Sequence, residues 1–341
     1  MILVIGAGAV GSFLAWTLAA GGEEVQLVRR HGVPGARTER LIAGGPTGAG
    51  EARQVAVAGS PESVAGAPEL ILLAVKMPDL AGAIETAAAW PDATLLAVQN
   101  GVGADALLLA RRPSSGLIAG SLTTSVERVG EGTIQRLSRG GIVLAPVRGE
   151  VGGMIDRLVL AFAAGGLRAR ATDNSAALRW SKLLVNLIGN ATGAIVDIDP
   201  MAVYRDRGLF RLERRQLAEA LAVMDGLQLR PIKLFGADTR LLQLAARLPG
   251  PLVQPVLIWV VAAGRGGKRP SLHLHLEAGS GAPTEVEWLN GAVVTAATEL
   301  GGRAPLNARL AELVEACNQD PERRAWFRGR PDRLIEAVET A

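Results

Sequence analysis

The sequence predicts an α/β protein in which a doubly wound sheet precedes an all-α C-terminal domain, and three observations lead to this fold class. First, an apolar run of strand type, residues 2–5, breaks into a G-x-G-x-x-G turn at 6–11 and continues as a helical pattern. Second, short apolar strands alternate with helical stretches through the first half of the chain, as in a parallel sheet covered on both faces. Third, long helical patterns follow from Asp173 onward. We therefore expect two domains, 1–168 and 169–341.

The turn at residues 6–11 has the pattern that binds the pyrophosphate of a dinucleotide. Its glycines suit a tight turn, a close approach of phosphate to the backbone and close packing of the helix on the strand, while the helix N-terminus offers N–H groups and the positive end of its dipole. A second strand at 25–28 follows about one βαβ unit later, as a Rossmann-type domain requires. The residues predicted to bind the dinucleotide are Gly6, Ala7, Gly8, Ala9, Val10 and Gly11.

Two arginines at the end of the second strand predict the type of dinucleotide. NAD-dependent domains usually place an acidic residue here for the ribose 2′-hydroxyl, whereas this chain has Arg29 and Arg30. Guanidinium groups form charge-assisted, bidentate hydrogen bonds with a 2′-phosphate. The alternative is a solvated basic turn, but Glu23 and Glu24 precede the strand and stand at the wrong end to reach the ribose. We predict NADP(H), bound by Arg30 with or without Arg29.

The remaining elements follow from hydrophobic periodicity. In the first domain we predict strands near 54–57, 70–75, 94–98, 116–119, 133–137 and 141–146, with helices near 79–89, 103–111 and 151–165. In the second we predict helices at 174–196, 201–229, 237–247, 251–263, 284–300, 305–317 and 331–340. The helix at 284–300 is expected to begin with a capping box formed by Thr284 and Glu287, directly after Pro283.

The composition is that of a globular enzyme and excludes several partners. A formal net charge of +3 with 4% aromatic residues, and no interleaving of basic and aromatic side chains, argues against nucleic-acid binding. The uncharged run at 2–20 has no preceding basic residues, so we expect neither a signal peptide nor a membrane span. Cys317 is the only cysteine, which excludes an internal disulfide and favours a cytoplasmic protein. No metal-ligand spacing surrounds the three histidines, His31, His273 and His275.

Polar residues end two neighbouring strands of the predicted sheet. Lys76 follows the strand at 70–75, and Asn100 stands with Gln99 and Gly101 after the strand at 94–98. Ligands of open α/β sheets bind outside the carboxyl ends of the strands, so these side chains are expected to face the nicotinamide half of the cofactor. The alternatives are a solvated lysine and an ordinary Asn-Gly turn.

The first long helix of the second domain carries a polar stripe. Lys182, Asn186 and Asn190 are four residues apart and share one helix face, while leucine and isoleucine occupy the rest. Only four of the 36 basic residues are lysines, and an ammonium group can give up a proton where a guanidinium cannot. Asparagines in an apolar helix need partners, so this row is predicted to face a substrate; the alternative is that the amides brace a neighbouring helix.

Taken together, these segments resemble the ketopantoate reductases (2-dehydropantoate 2-reductases). The resemblance runs through nearly the whole chain and rests on the glycine turn, Arg30, the Val75-Lys76 strand end, and three longer motifs: Asn100-Gly-Val-Gly103, Trp180-Ser-Lys-Leu-Leu-Val-Asn186 with Asn190, and Pro283-Thr-Glu-Val-Glu-Trp-Leu-Asn-Gly291. It implies the reduction of 2-dehydropantoate to (R)-pantoate with NADPH, on the route to pantothenate and coenzyme A.

The resemblance also implies roles for individual residues. Lys182 would be the general acid, and Glu285 would complete the site where the helical domain meets the cofactor. The cofactor would in addition contact Lys76 and Asn100. The residues that would hold the substrate are Asn100, Lys182, Asn186, Asn190 and Ser271.

One segment departs from the family pattern, and alternatives to this function remain. Where the family usually reads Pro-Ser-Met-x-Gln-Asp, this chain has Pro270-Ser-Leu-His-Leu-His275, followed by about two extra residues before Pro283. Either histidine could contact a different acid, or both could simply pack or face solvent. The alternative functions are an NADPH-dependent reductase of another 2-oxo or 3-oxo acid and a non-catalytic NADP-binding sensor. The expected partner is a small 2-oxo acid, and the apolar helices 201–229 and 251–263 could form the surface of a homodimer.

Overall fold

The computed structural model describes residues 1–29, 35–44, 50–130, 132–250, 253–255, 257–258, 269–279 and 281–339. Arg30 and His31, together with most of the predicted helix at 251–263, lie outside these residues. The chain forms two compact units. The first consists of residues 1–99 and 103–178, and the second of residues 100–102 and 179–341.

The described residues of the first unit form a mixed sheet of eleven strands with helices packed on it. The strands are β1 (Ile2–Ile5), β2 (Val25–Val28), β3 (Ala36–Gly44), β4 (Glu51–Ala58), β5 (Leu70–Leu73), β6 (Thr94–Ala97), β7 (Leu117–Leu122), β8 (Val126–Gly130), β9 (Thr133–Arg136), β10 (Ile142–Arg148) and β11 (Ala169–Ala171). The helices are α1 (Ala9–Ala20), α2 (Leu80–Ala87), α3 (Ala104–Arg111) and α4 (Gly152–Ala164).

The centre of the sheet is parallel, as the sequence predicts. Its strands run in the order β11-β10-β7-β6-β5-β1-β2-β4-β3-β9-β8, and every neighbouring pair from β7 to β4 is parallel. Strands β1 and β5 are apolar and wholly buried because helices cover the sheet. The carboxyl ends of these parallel strands therefore share one edge. The all-parallel arrangement is wrong outside this centre, because β3 runs antiparallel to β4, β10 to β7 and β8 to β9.

Helices α1 and α4 approach each other closely on one face of the sheet. A β-carbon at Gly21, just after α1, would lie 2.0 Å from the carbonyl oxygen of Ala161, and one at Gly165 would lie 2.0 Å from that of Thr17. Phe13 and Phe162 are buried in the same apolar core. The glycines thus let the helix that follows the glycine turn lie against its neighbour backbone to backbone.

The second unit is helical apart from a short hairpin. Its helices are α5 (Ser175–Leu187, which begins in the first unit), α6 (Ala191–Val196), α7 (Pro200–Arg205), α8 (Arg207–Gly226), α9 (Thr239–Arg247), α10 (Ser271–Ala278), α11 (Asn290–Glu299), α12 (Pro305–Gln319), α13 (Pro321–Phe327) and α14 (Pro331–Glu339). The hairpin joins β12 (Lys233–Leu234) to β13 (Ala237–Asp238). No helix within the described ranges is long and apolar enough to cross a membrane.

Three predicted helices are interrupted or begin late. The helix predicted at 174–196 breaks after Leu187, where Gly189 has a φ of +56°. The helix predicted at 201–229 breaks at Asp206, whose extended backbone and carboxylate cap the start of α8. The capping box predicted at Thr284 is also wrong, because a 3₁₀ turn at Val286–Trp288 precedes α11. Each break is stabilised by contacts that periodicity does not reveal.

Candidate active site

The glycine turn of the first unit has the geometry that a dinucleotide needs. Gly6 has a φ of +113°, and a β-carbon there would lie 2.8 Å from the backbone of Ala74. A β-carbon at Gly11 would lie 1.8 Å from the carbonyl oxygen of Gly6, so helix and turn pack too closely for any side chain. Gly8, the N-cap of α1, has open space where its side chain would be. Two glycines therefore shape the turn, and the third leaves its outer face bare for a phosphate.

A cavity of about 430 Å³ opens beside this turn, at the carboxyl ends of the parallel strands. The end of β1, the end of β2, the loop after β4 and the first turns after β5 line it, including Gly6, Ala7, Arg29 and Ser60. The guanidinium of Arg29 forms an ion pair with Glu39, and its Nε is buried with no hydrogen-bond partner among the described residues. Arg29 thus reaches the cavity, but a carboxylate already neutralises its charge.

Lys76 and Gln99 lie at neighbouring strand ends and have different surroundings. Lys76 is exposed and precedes a 3₁₀ turn at Met77–Asp79. Gln99 is buried, and its amide donates to the carbonyl oxygens of Leu73 at 2.8 Å and Val75 at 3.2 Å. Gln99 therefore ties the strand end that carries Lys76 to the next strand.

The segment Asn100–Val102 groups with the helical unit and is held there by two contacts. The amide of Asn186, on α5, donates to Oδ1 of Asn100 at 3.4 Å. The backbone N–H of Val102 donates to the carbonyl oxygen of Trp288 at 3.0 Å, and a β-carbon at Gly101, where φ is +84°, would lie 2.3 Å from that oxygen. The Asn-Gly pair is thus a tertiary junction as well as a turn, since only glycine fits against the backbone of Trp288.

Helix α5 places Lys182 and Asn186 on one partly exposed face. Trp180, Leu183 and Leu184 are buried in the core of the unit, whereas Lys182 and Asn186 are half-buried. The two side chains stand one helical turn apart on the same side. The same face of α5 contacts the segment 100–102 through Asn186.

Asn190 does not continue this stripe, because α5 has already ended. It is buried at the N-cap of α6, and its Oδ1 accepts a hydrogen bond from the backbone N–H of Leu272 at 3.2 Å. This contact is the bracing interaction that the sequence left open. Its role in substrate binding stays a prediction.

A buried glutamate holds the break between α5 and α6. Glu213, on α8, is fully buried and accepts from the N–H of Gly189 at 2.7 Å, the hydroxyl of Thr192 at 2.5 Å and the amide of Gln216 at 2.7 Å. Buried donors without a partner are costly, and this carboxyl group accepts from three buried donors. The carboxylate of Glu213 therefore fixes the point at which the helix carrying Lys182 and Asn186 stops.

The same network reaches the start of α11. Nδ2 of Asn290 donates to Gln216 at 3.1 Å and to Asn307 at 2.9 Å, while Nδ2 of Asn307 donates to Glu219 at 2.7 Å. Glu219 also accepts from two backbone N–H groups at the start of α12. Buried networks whose members are paired define one arrangement of the elements they join. Here they join the end of α5 to the segment that follows Glu285.

Glu285 is buried just before the 3₁₀ turn. The N–H of Trp288 donates to its carbonyl oxygen at 3.1 Å, and its neighbour Thr284 donates its hydroxyl to Glu315 while accepting from the N–H of Val286 at 3.2 Å. Trp288 in turn contacts Gly101 and Val102. The segment that carries Glu285 is thus packed against the loop that carries Asn100.

Both histidines of the altered segment, residues 270–275, contact other residues of the protein. Ser271 is exposed at the first position of α10. His273 is fully buried, and its Nε2 lies 2.7 Å from Asp197, which also pairs with Arg328 at 2.8 Å. Burial lowers the pKa of His273 below its usual value, with Asp197 opposing the shift. Nε2 of His275 lies 2.9 Å from the carbonyl oxygen of Ala282. Both histidines have intramolecular partners, which fits the packing alternative.

Sequence reasoning missed the residues that support this site. Glu213, Gln216 and Glu219 recur every three residues along α8; Glu213 and Gln216 are fully buried, and Glu219 is partly buried. Polar residues at core-facing positions of an amphipathic helix were the available signal, because each needs a buried partner. Their partners on other elements lie 21 to 91 residues away along the chain, which no local pattern reveals.

Comparisons with known proteins show which family this sequence matches. The sequence model of the family described as ketopantoate reductase PanE/ApbA matches residues 2–149, and the model of its C-terminal domain matches residues 174–318. A 2-dehydropantoate 2-reductase from Halobacterium salinarum is 28% identical over 323 residues, covering 94% of this chain and 99% of the relative. A second, from Pyrococcus horikoshii, is 26% identical and covers 92% of this chain and 96% of the relative.

Solved structures share the fold. A PanE/ApbA family ketopantoate reductase from Ralstonia eutropha has a TM-score of 0.74 at 26% identity, with 93% of this chain and 98% of that chain covered. A D-mandelate dehydrogenase in a ternary structure with NADH and anilino(oxo)acetate also has a TM-score of 0.74, at 20% identity over the same shares of the two chains. The predicted fold class, a Rossmann-type domain followed by a helical domain, and the predicted resemblance are confirmed.

Proposed function

Because this chain belongs to the ketopantoate reductase family, and is therefore an oxidoreductase, we propose that it reduces 2-dehydropantoate to (R)-pantoate with NADPH, a step toward pantothenate and coenzyme A. The observation that carries the proposal is the contact between Asn186 and Asn100 in the helical unit. Within this unit the contact joins Asn100 to the helix face that bears Lys182. Amides and an ammonium group on one surface suit a small molecule with carboxylate, hydroxyl and carbonyl groups.

The glycine turn fits a pyridine dinucleotide. Three features support a phosphate-bearing ligand here: the bare outer face of Gly8, the cavity lined by Gly6 and Ala7, and the buried Nε of Arg29, which has no partner among the described residues. The residues that would hold the cofactor are the turn 6–11, Lys76, Asn100 and Glu285, with Arg30 at the 2′-phosphate. We assign the 2′-phosphate to Arg30 rather than Arg29 because the charge of Arg29 is already paired with Glu39.

The proposed chemistry assigns the proton to Lys182. When bound, NADPH supplies the hydride that adds to the C2 carbonyl carbon of the oxo acid. Negative charge then develops on the carbonyl oxygen, where the ammonium of Lys182 stabilises it by a charge-assisted hydrogen bond and donates the proton that completes the hydroxyl. Asn186 and Asn100 orient the substrate through their amides. Asn190 and Ser271 belong to the predicted substrate-binding residues, and Asn190 acts in part through its contact with α10.

The proposal is tested by measuring NADPH oxidation by the purified protein with 2-dehydropantoate and a panel of other 2-oxo and 3-oxo acids. We expect the highest kcat/KM with 2-dehydropantoate and an (R)-configured product on chiral chromatography. Arg30→Ala should weaken NADPH binding by about tenfold or more, the effect of a lost charge-assisted contact, and leave NADH binding nearly unchanged. Equal losses with both cofactors would move the 2′-phosphate contact elsewhere, and no turnover with any oxo acid would contradict the proposal.

A second candidate is a reductase of another 2-oxo acid. The segment 270–283 departs from the family pattern, and its two histidines form hydrogen bonds with Asp197 and Ala282. We infer that this segment borders the substrate pocket, so its altered residues would change which oxo acid binds. The same panel decides, because this candidate requires a higher kcat/KM with an acid other than 2-dehydropantoate. The non-catalytic sensor would bind NADPH and oxidise none of it.

A homodimer remains part of the prediction. Of the two apolar segments proposed for its surface, 201–229 is described as α7 and α8, whereas most of 251–263 lies outside the described residues. Light scattering of the eluted protein would measure its mass directly. A mass of about twice the 35.4 kDa of one chain supports the dimer, and a mass of one chain contradicts it.

A further inference from the structure

An arginine from the sheet edge contacts the glycine turn. Arg128 lies on β8, the outermost strand beyond β9, more than a hundred residues after the turn. Its Nη2 donates to the carbonyl oxygen of Ala7 at 2.7 Å and to the hydroxyl of Ser12 at 3.0 Å. The hydroxyl of Ser12, which is fully buried, donates to the same carbonyl at 3.3 Å. Neither the glycine pattern nor the strand-end residues predict this contact.

The contact fixes the orientation of one peptide group in the turn. In a trans peptide the C=O and the following N–H point in opposite directions. Because the carbonyl of Ala7 points to Arg128, the N–H of Gly8 points away from it. Gly8 is also the residue whose missing side chain leaves open space. Arg128 and Ser12 therefore hold the Ala7–Gly8 peptide so that its N–H is presented on the side opposite to Arg128.

Arg128 is an exposed residue near the N-terminal end of α1, where the helix dipole favours an anion over a cation. A cation at a helix N-terminus is repelled by the positive end of the helix dipole. Helix α1 carries no acidic residue in its first turn and no side-chain cap, so no carboxylate of that turn offsets the charge. A bound pyrophosphate would be attracted both by the helix dipole and by the guanidinium of Arg128.

We propose that Arg128 is a positioning residue for the pyrophosphate of the cofactor: it orients the Ala7–Gly8 peptide and adds a positive charge beside the turn. This inference rests on the proposed function, since it requires that the turn bind a nicotinamide dinucleotide. Arg128 acts on the part that NADPH and NADH share. Its contribution is therefore distinct from that of Arg30, which concerns the 2′-phosphate alone.

The test measures binding to the full-length protein without oxo acid, by the fluorescence of the reduced nicotinamide and by calorimetry. Three probes are titrated: NADPH, NADH and adenosine 2′-monophosphate, which has the 2′-phosphate but no pyrophosphate. Arg128→Met should weaken NADPH and NADH by a similar factor of about ten, the worth of one charge-assisted contact. It should leave the affinity for adenosine 2′-monophosphate unchanged. Arg128→Lys keeps the charge but lacks the planar guanidinium group. Its affinities for NADPH and NADH should lie between those of wild type and Arg128→Met.

Arg136→Met is the matched control, because Arg136 lies on the paired strand β9, opposite Val126, and donates instead to the carbonyl oxygen of Gly166. It removes the same charge from the same hairpin and should change none of the three affinities. An unchanged NADPH affinity in Arg128→Met, or an equal loss for adenosine 2′-monophosphate, overturns the role of Arg128 while the proposed function stands. A wild-type protein that binds neither dinucleotide overturns both.

Discussion

The glycine turn of the first unit and the polar face of the helical unit are built in opposite ways. The turn consists of six consecutive residues, and its shape depends on glycines that have no side chain. At two of them a β-carbon would clash with the backbone, and at the third the space beside the backbone is open. The polar face around Lys182 and Asn186 depends on side chains from distant segments, above all Glu213, held in a buried network. A site made of backbone can be predicted from a short motif, whereas a site made of side chains depends on the whole fold.

The network that supports the helical site should be its most sensitive part. Glu213→Ala would remove the acceptor of three buried donors, at Gly189, Thr192 and Gln216. Each costs about 1–3 kcal/mol when unpaired. We expect the free energy of unfolding, measured in urea, to fall by at least about 3 kcal/mol. Arg215→Ala, at an exposed position of the same helix, is the control and should change stability by less than about 0.5 kcal/mol. A stability for Glu213→Ala within that range of wild type would contradict the importance of the network.

In the turn, two glycine substitutions should separate shape from binding. Gly11→Ala places a β-carbon 1.8 Å from a carbonyl oxygen, so α1 must shift, at a cost of about 1–3 kcal/mol of stability. Gly8→Ala meets no atom within 4 Å and should leave the melting temperature unchanged, yet weaken NADPH binding because its methyl group occupies the face offered to phosphate. Thermal unfolding and NADPH titration of both variants measure the two effects. If Gly8→Ala binds NADPH as wild type does, the phosphate does not approach that face.

The smallest effect concerns the ion pair of Arg29 and Glu39 at the border of the cavity. Glu39→Gln removes the carboxylate that neutralises Arg29, whose side chain lines the cavity. The freed guanidinium should favour NADPH over NADH by about threefold, since a partly exposed pair is worth about 0.5–1 kcal/mol. Glu51→Gln, which breaks an exposed pair with Arg53 on β4, is the control and should not change the ratio of the two dissociation constants. An equal change in both affinities would show that the freed charge of Arg29 adds nothing to the preference for NADPH.

The contrast between the two regions also explains what the sequence could predict. The turn, the parallel strands around it and the face shared by Lys182 and Asn186 depend on residues close together in sequence, and all were predicted. The end of α5 at Leu187 was missed, because a glycine such as Gly189 can lie inside a helix. Here the N–H of Gly189 donates to Glu213 on another helix, and α5 ends before it. The bracing role of Asn190 depends on Leu272, more than eighty residues later, and was left as an alternative for the same reason.

The late start of α11 shows the limit of capping signals. Thr284 and Glu287 have the spacing of a capping box, but the hydroxyl of Thr284 is engaged by Glu315 on α12. The backbone then forms a 3₁₀ turn that presents the carbonyl of Trp288 to Val102. A tertiary contact thus outweighs a local preference of about 1 kcal/mol. The departure occurs at the segment that carries Glu285, which the proposal assigns to the site.

The central claim, that the helical unit supplies the acid, is tested most directly by the kcat of Lys182→Ala at saturating NADPH and 2-dehydropantoate. The account predicts a loss of at least about 10²-fold with NADPH affinity retained, because general acid catalysis contributes 10²–10⁴-fold. Lys182→Arg should recover little, since guanidinium keeps the charge but does not release the proton. Lys233→Ala, at an exposed lysine of the β12–β13 hairpin, should retain full activity. A kcat for Lys182→Ala within a few-fold of wild type would contradict the account and make Lys76 the next residue to test.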